Sequence, residues 1–470
     1  MPDTALDTAA SRNLATGIET LRRQFDGQIV LPRDAAYESA RRIWNAMIDK
    51  HPALIARCAT TSDVVRAVNF ARDNGLPLAV RGGGHNIAGN AVCDDGIVID
   101  LSQMKAATVD PAARRVTIEG GATLADLDAA TQAHGLATPV GINSTTGIAG
   151  LTLGGGFGWL SRKHGMTIDS LESAEVVTAA GEVVRASATE HPDLFWAIRG
   201  GGGNFGVITR FEFRLHAIGP NVLSGLIVYP LTQAKLVLRR YREFMATAPD
   251  ELAVWAVVRR APPLPFLPEK MHGKEIIALA VFYAGDPAQG EPLIAPLRKF
   301  GTVAGEHVGA QPYVAWQRAF DPLLTAGARN YWKSHNFSVL DDGLFEAVIE
   351  YAGKLPSAQC EIFLAALGGA TARPAPGATA YAHRDTRYVM NVHGRWDDPA
   401  DDERGIRWAR NFFKASAPFA SDGVYVNFLT ADEGERVRSA YGPGYDRLAQ
   451  VKRQYDPANL FRLNHNINPA

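Results

Sequence analysis

Apolar residues recur every three or four positions over residues 13–25, where Leu14, Ile18 and Leu21 share one side. They do so again from Ser62 to Arg72, through Val64, Val65, Val68 and Ala71. Both patterns predict amphipathic helices, the second capped by Ser62 and ended at Asn74-Gly75. Short apolar runs at 29–31 (stopped by Pro32), 78–80, 97–101 and 115–119 predict strands. A further helix is expected over 122–134, closed by Gly135. A strand at 174–178 turns at Ala180-Gly181, a helix-like segment covers 193–199, and an alternating strand covers 207–215. This mixture predicts an α+β or α/β first part. Composition shifts around 216–222, where a domain boundary is placed. Beyond it, strands at 223–229, 252–259, 276–283, 359–367, 386–395 and 423–429 alternate with helices at 232–246, 287–299, 342–353 and 402–414. The two-residue period of those strands predicts an antiparallel sheet with one face covered by helices. Pro262 to Pro265 and residues 368–385 read as loops. The tail from Tyr455 to Ile467 interleaves amides with Leu460, Phe461 and Ile467, so it is expected to pack back onto the first part.

The pattern breaks in three places, each dense in glycine. The run Leu78-Ala79-Val80 ends in Arg81-Gly82-Gly83-Gly84-His85-Asn86. Glycine lets a backbone approach a ligand closely, and successive N–H groups cradle anionic oxygens. Arg81 adds a positive charge beside that turn, and His85 is set to face its contents. The second cluster, 141–158, mixes glycines with Asn143, Ser144, Thr145 and Thr146. Its apolar residues Ile142, Ile148, Leu151 and Leu153 mark a packed segment rather than a flexible linker. The third, 200–206, formally matches a dinucleotide fingerprint at Gly201, Gly203 and Gly206. The fingerprint needs a strand before it and a helix after it; here a helix-like segment precedes and a strand follows, so a Rossmann site is rejected.

Composition narrows the class. The chain has 470 residues, past the size at which one core stops growing, so two domains are expected. A formal charge of −1 gives no support for nucleic-acid or anionic-membrane binding. Cys58, Cys93 and Cys360 are scattered, which argues against a disulfide framework or zinc site, and no metal is expected. No apolar run is of transmembrane length and the first residues lack a signal-peptide core, so a cytoplasmic protein is the expectation.

The motifs at 81–86, 147–165, 193–209 and 455–467 together resemble the berberine bridge enzyme-like flavoprotein oxidases of the vanillyl-alcohol oxidase/p-cresol methylhydroxylase superfamily. The resemblance covers essentially the whole chain. It implies an α+β fold: a two-part FAD-binding domain of the p-cresol methylhydroxylase type (1–218, its core about 50–218, with 431–470 returning to it) and a substrate domain at 219–430. It implies FAD, with His85 bonded to the flavin 8α carbon. Arg81, Gly82 to Gly84, Asn86, Gly141, Thr145, Thr146, Gly147, Gly150, Gly154 to Gly156, Gly158, Gly203, Gly206, Val207, Asn464 and Asn466 are then expected around the cofactor. Many relatives carry a second flavin link through a cysteine; Asn143 stands at that position here, so a single link is expected. Ile87 replaces a tyrosine found in plant members.

What the protein must add to flavin chemistry is a group that takes a proton from an alcohol or amine. Tyr425, Glu361 and His164 are the candidates, with His383 a structural alternative. Ala365 stands where relatives often hold an acid or amide base. Ile87, Phe157, Phe363, Ala365, Tyr388 and Asn427 are expected to line the substrate pocket, and Tyr388, Asn391 and His393 to alternate along one strand. The expectation is a covalently flavinylated oxidase of a small alcohol or amine, with O2 as acceptor. A dehydrogenase with another acceptor, and a flavin-carrying binding or resistance protein, are the alternatives.

Overall fold

The computed structural model describes residues 3–469 and contains a mixture of helices and sheets. β1 (Gln28–Val30), β2 (Leu54–Arg57), β3 (Leu78–Arg81) and β4 (Ile97–Asp100) form one sheet in the order β1-β2-β4-β3. β2, β4 and β3 run parallel, and β1 is antiparallel to β2. Parallel neighbours need a crossover helix. That helix is Thr61–Asp73, which packs Val64, Ala67, Val68 and Ala71 inward. Its N-cap is Thr60 rather than Ser62: the Thr60 side chain accepts the Asp63 N–H. Gly75, at φ +64°, turns the chain out of it.

β5 (Ala107–Asp110), β6 (Arg115–Glu119), β7 (Leu136–Ala137), β8 (Leu171–Val177), β9 (Val183–Ser187), β10 (Val207–Arg214) and β11 (His216–Ala217) follow. The antiparallel sheet β5-β6-β10-β8-β9 takes five of them, and β7 pairs with β11.

The third sheet has seven strands: β12 (Asn221–Pro230), β13 (Leu252–Arg260), β14 (Glu275–Tyr283), β15 (Gly305–Pro312), β16 (Arg329–Phe337), β17 (Glu361–Ala366) and β18 (Tyr388–Trp396). Its order is β15-β12-β14-β13-β17-β18-β16, antiparallel throughout. One face buries Val254, Ile362, Leu364, Met390 and Val392 against the helices Ala234–Met245, Asp342–Ala352 and Asp402–Ser416. The other face carries Trp255, Phe363, Ala365 and Val389, which meet Phe157, Trp159 and Tyr425 from outside the sheet. The functional cleft opens along this second face.

Further sequence expectations change. β2, β5, β7, β9, β11, β15 and β16 were not anticipated. Residues 423–429 are not a strand; Val426–Phe428 is a single 3-10 turn, because its side chains bond to the glycine segment beside it. The helix expected over 287–299 holds α geometry only over Pro287–Ile294, then tightens into a 3-10 turn. The tail packs as expected: Leu460 and Phe461 join the core of the first sheet, and Ile467 that of the second.

Candidate active site

β3 delivers the chain to Gly82, Gly83 and Gly84, and Gly84 takes φ +72°. Gly83 lies back to back with Gly147: a Cβ on Gly83 would sit 2.3 Å from the Gly147 nitrogen, and one on Gly147 2.2 Å from the Gly83 nitrogen. Two glycine loops therefore share one wall, which no other residue pair could build. Arg81 pairs with Asp100 at 2.6 Å and bonds the Ala40 carbonyl, bracing the strand end at the edge of the outer groove rather than in the chambers.

The loops border two adjoining chambers. One, of about 230 Å3, lies between Gly82–His85, Gly147, Gly150 and the open face of the large sheet. The other, of about 150 Å3, is lined by Gly203, Gly206, Tyr441 and Asn464. They share Gly82, Asn86, Gly150 and Asn427 as common walls. A larger outer groove of about 1260 Å3 borders the His85 edge and holds Arg41, Arg42, Arg57 and Thr145.

His85 stands at the junction of chamber and groove. Its ring stacks on Trp44, centroids 5.1 Å apart and planes 20° from parallel. Its tautomer follows from a chain of hydrogen bonds. The Asn143 amide is fixed because its Oδ1 accepts the Thr145 N–H (3.0 Å) and its Nδ2 donates to the Leu324 carbonyl (3.3 Å). Thr145 Oγ1 donates to that Oδ1 at 2.7 Å, so its lone pair accepts from His85 Nε2–H at 2.9 Å. Nδ1 is left as the unprotonated nitrogen. Burial lowers the His85 pKa to about 4, which keeps the imidazole neutral at pH 7.

On the sheet side, Phe157, Trp255, Phe363 and Phe428 form an aromatic box. Tyr425 enters it with its hydroxyl accepting from the Gly156 N–H (3.1 Å) and Asn427 Nδ2 (2.9 Å). Burial pushes its pKa up to about 12, so it is a proton donor at neutral pH and a poor base. Glu361 also reaches the chamber, but Arg259 holds it at 2.7 Å. Although burial opposes ionisation, the net effect keeps its carboxyl below the usual range.

The structure thus brings Gly82, Gly83, Gly84, His85, Asn86, Gly141, Thr146, Gly147, Gly150, Phe157, Glu361, Phe363, Tyr425 and Asn427 to one chamber, and Gly203, Gly206 and Asn464 to its neighbour. Gly154, Gly155, Gly156 and Gly158 shape the turn behind it; Gly155 and Gly156 have φ +120° and +72°, and Gly154 abuts Asn427. Val207 packs in the core of the first sheet, Ile87 is buried away from the chamber walls, and Asn466 bonds Asn468. Ala365 lies beyond the box against Trp255.

Two more expected positions lie outside the chambers. Tyr388 differs in parity from Asn391 and His393, so it points to the helix-covered face and packs near Tyr241. His164 stacks on His216 at 3.9 Å, outside both chambers, and burial lowers its pKa to about 3. His383 donates to main-chain carbonyls of the 439–440 segment. Sequence reasoning did not single out Trp44, Trp332, Arg259 or Asn330. The first three are bulky or charged residues inside elements, and only tertiary placement brings them here.

The walls fit a large cofactor with phosphate and ring parts. A Cβ on Gly150 or Gly203 would meet no protein atom within 4 Å, so nothing in the protein explains the missing side chains. Asn464 Oδ1 and His465 Nε2 are buried polar atoms without a protein partner, and both residues line the second chamber. Glycine loops, a neutral imidazole at their edge and an aromatic box suit a flavin-binding oxidoreductase.

Comparison with known proteins narrows the class. A family model described as FAD binding domain matches residues 52–187, and one described as berberine and berberine like matches 424–468. The chain is 33% identical over 436 residues to an FAD-linked oxidoreductase of Dictyostelium discoideum, covering 92% of each. It is 32% identical to (R)-6-hydroxynicotine oxidase of Paenarthrobacter nicotinovorans, over 95% of this chain and 97% of that one. The crystal structure of 6-hydroxy-D-nicotine oxidase from Arthrobacter nicotinovorans superimposes with a TM-score of 0.85 at 30% identity, covering 95% and 98% of the two chains. The chain belongs to the berberine bridge enzyme-like FAD-linked oxidoreductases.

Proposed function

We propose that the protein holds a single FAD, tethered through His85 alone, and oxidises a small alcohol or amine with O2 as the final acceptor. The observation that carries this reading is the state of His85: neutral, its Nε2–H given to Thr145, Nδ1 left as the nitrogen with the lone pair, and the residue itself at the edge of the chamber that the two glycine loops border. A neutral imidazole nitrogen with a free lone pair is a nucleophile; a charged or doubly bonded one is not. Asn143 supports a single tether, since its amide orients Thr145 and offers no thiol.

A bound flavin would supply a two-electron acceptor for the hydride that leaves the substrate carbon. The chain's own part is to hold and orient. Gly82 to Gly84, Gly147, Gly203 and Asn464 hold the cofactor. Trp255, Phe363 and Phe428 enclose an apolar ring or chain and exclude water. Tyr425 keeps its proton and can donate it to a substrate oxygen or nitrogen. Residues 1–218 with 431–470 serve in this reading as the cofactor domain, and 219–430 as the substrate domain. The two (R)- and 6-hydroxy-D-nicotine oxidases named above support an amine or a ring-bearing substrate.

Anaerobic mixing of the yellow protein with a panel of alcohols and secondary amines tests the proposal. At least one should bleach the flavin absorbance, and admitted air should restore it within seconds. A panel that bleaches nothing contradicts the oxidation. Bleaching that persists in air contradicts O2 as acceptor.

A further inference from the structure

The chamber needs a proton acceptor, and its two expected candidates are poorly suited: Tyr425 is protonated and Glu361 is tied to Arg259. A third group stands beside them. His393 lines the same chamber, on β18 directly opposite Glu361 of β17. Its ring makes an edge contact with Trp332, centroids 4.7 Å apart.

Its hydrogen bonds define its tautomer. Asn330 donates its Nδ2 to the Ala328 carbonyl at 2.8 Å, so its Oδ1 is the acceptor. That Oδ1 receives Arg395 Nη1 at 3.2 Å and therefore receives His393 Nε2–H, at 3.1 Å. The proton of neutral His393 is thus on Nε2, and Nδ1 carries the lone pair. Nδ1 lies 3.6 Å from Glu361 Oε1, too far for a hydrogen bond, so no proton bridges them in this state. Burial lowers the His393 pKa and Glu361 only partly offsets it, so the ring is neutral and a proton arriving at Nδ1 would sit against a carboxylate. The charged and titratable groups facing this ring are Glu361 of β17, Arg259 of β13, Arg395 of its own strand and, beyond Trp44, His85. Trp332 Nε1 and Trp255 Nε1, which share the chamber, have no protein acceptor and leave donors for a ligand.

We infer that His393 Nδ1 is the atom that takes the substrate's hydroxyl proton, with Asn330 and Glu361 as its positioning residues. The inference rests on the proposed alcohol oxidation. The substrate O–H bond breaks and its electron pair becomes the second C–O bond. The hydrogen on carbon leaves with its pair to the flavin, and the hydroxyl proton stays on Nδ1 against Glu361 Oε1.

A coloured phenol reports this transfer without turnover. 4-Nitrophenol is titrated into the yellow holoprotein below the pH at which it ionises free in solution, and its phenolate absorbance is read by difference. The wild type should bind it as phenolate, raising the ionised fraction on the order of tenfold or more. His393→Gln should bind it un-ionised, and Asn330→Ala and Glu361→Gln should each lower the ionised fraction. Should His393→Gln fail to retain flavin, Asn330→Ala and Glu361→Gln decide the matter. Retention of phenolate in His393→Gln, or no binding by the wild type, overturns the assignment. Phenolate formation in a protein whose flavin no alcohol bleaches would sink the oxidation reading while leaving His393 as the acceptor.

Discussion

Tyr425 shows how much one hydroxyl can organise. It accepts from a main-chain N–H of the glycine segment and from Asn427, which itself donates to the Leu151 carbonyl. Tyr425→Phe leaves two buried donors unmatched, which costs about 1–3 kcal/mol. Thermal unfolding should show that loss, with the flavin retained. Because the pKa of Tyr425 is raised to about 12, its ionisation should not appear in a rate–pH profile below about pH 10. A break there that disappears in Tyr425→Phe would make the tyrosine the base. Single residues of this kind were legible in part. His85 and the glycines announced themselves by composition. Glu361 was found by its strand parity with Phe363, but its neutralising partner Arg259 could not be, because the pairing crosses from β17 to β13. Tyr388 was misplaced by a parity error, three positions from Asn391 being an odd step.

At the level of elements, the glycine loops separate folding from ligand binding. Gly83→Ala drives a Cβ against the Gly147 main chain, and neither loop can yield, so a loss of about 3 kcal/mol or more and little recoverable protein are expected. Gly150→Ala is the opposite case. Gly150 lies in the helix Ile148–Leu153 with open space beyond its Cα, and alanine favours a helix by roughly 0.5–1 kcal/mol. Unfolding of the flavin-free protein should be unchanged or later, while the flavin content of the purified protein should fall. Equal flavin content in wild type and Gly150→Ala would mean that the chamber wall does not touch the cofactor. β16 escaped the sequence reading for a related reason. Its side chains on the cleft face are Asn330, Trp332, Ser334 and Asn336, and the three polar ones erase the apolar alternation by which a strand is recognised. The segment 423–429 failed the other way, its alternating apolar residues being anchored to the glycine turn instead of a neighbouring strand.

Across the whole molecule, the tail locks the third glycine cluster. Lys452 and Asp456 form a fully buried pair at 2.6 Å. Asp456 accepts the Leu460 and Phe461 N–H groups, and Lys452 donates to the carbonyls of Asn204 and Phe461. Asp456→Ala strands a buried ammonium and should destabilise by about 3–5 kcal/mol, with early release of any untethered flavin on heating. Acid should act on the molecule through its buried histidines. Burial lowers His216, His335 and His465 to about 4 and His164 to about 3, against about 6.5 in the unfolded chain. The unfolded chain then binds more protons between those values, so the stability is complete above pH 6.5 and is lost as pH falls toward 4. A drop in the thermal midpoint of roughly 5 °C or more between pH 7 and pH 5 is expected. A midpoint that holds or rises over that range would contradict the burial of these rings.

The claim on which the account turns is that the glycine loops hold one flavin fastened by His85. Acid precipitation of the purified protein measures it most directly. The wild-type pellet should keep its yellow colour, with one flavin on the tryptic peptide carrying His85, and His85→Ala should give a colourless pellet from a folded protein. A colourless wild-type pellet, or a yellow one from His85→Ala, would contradict it.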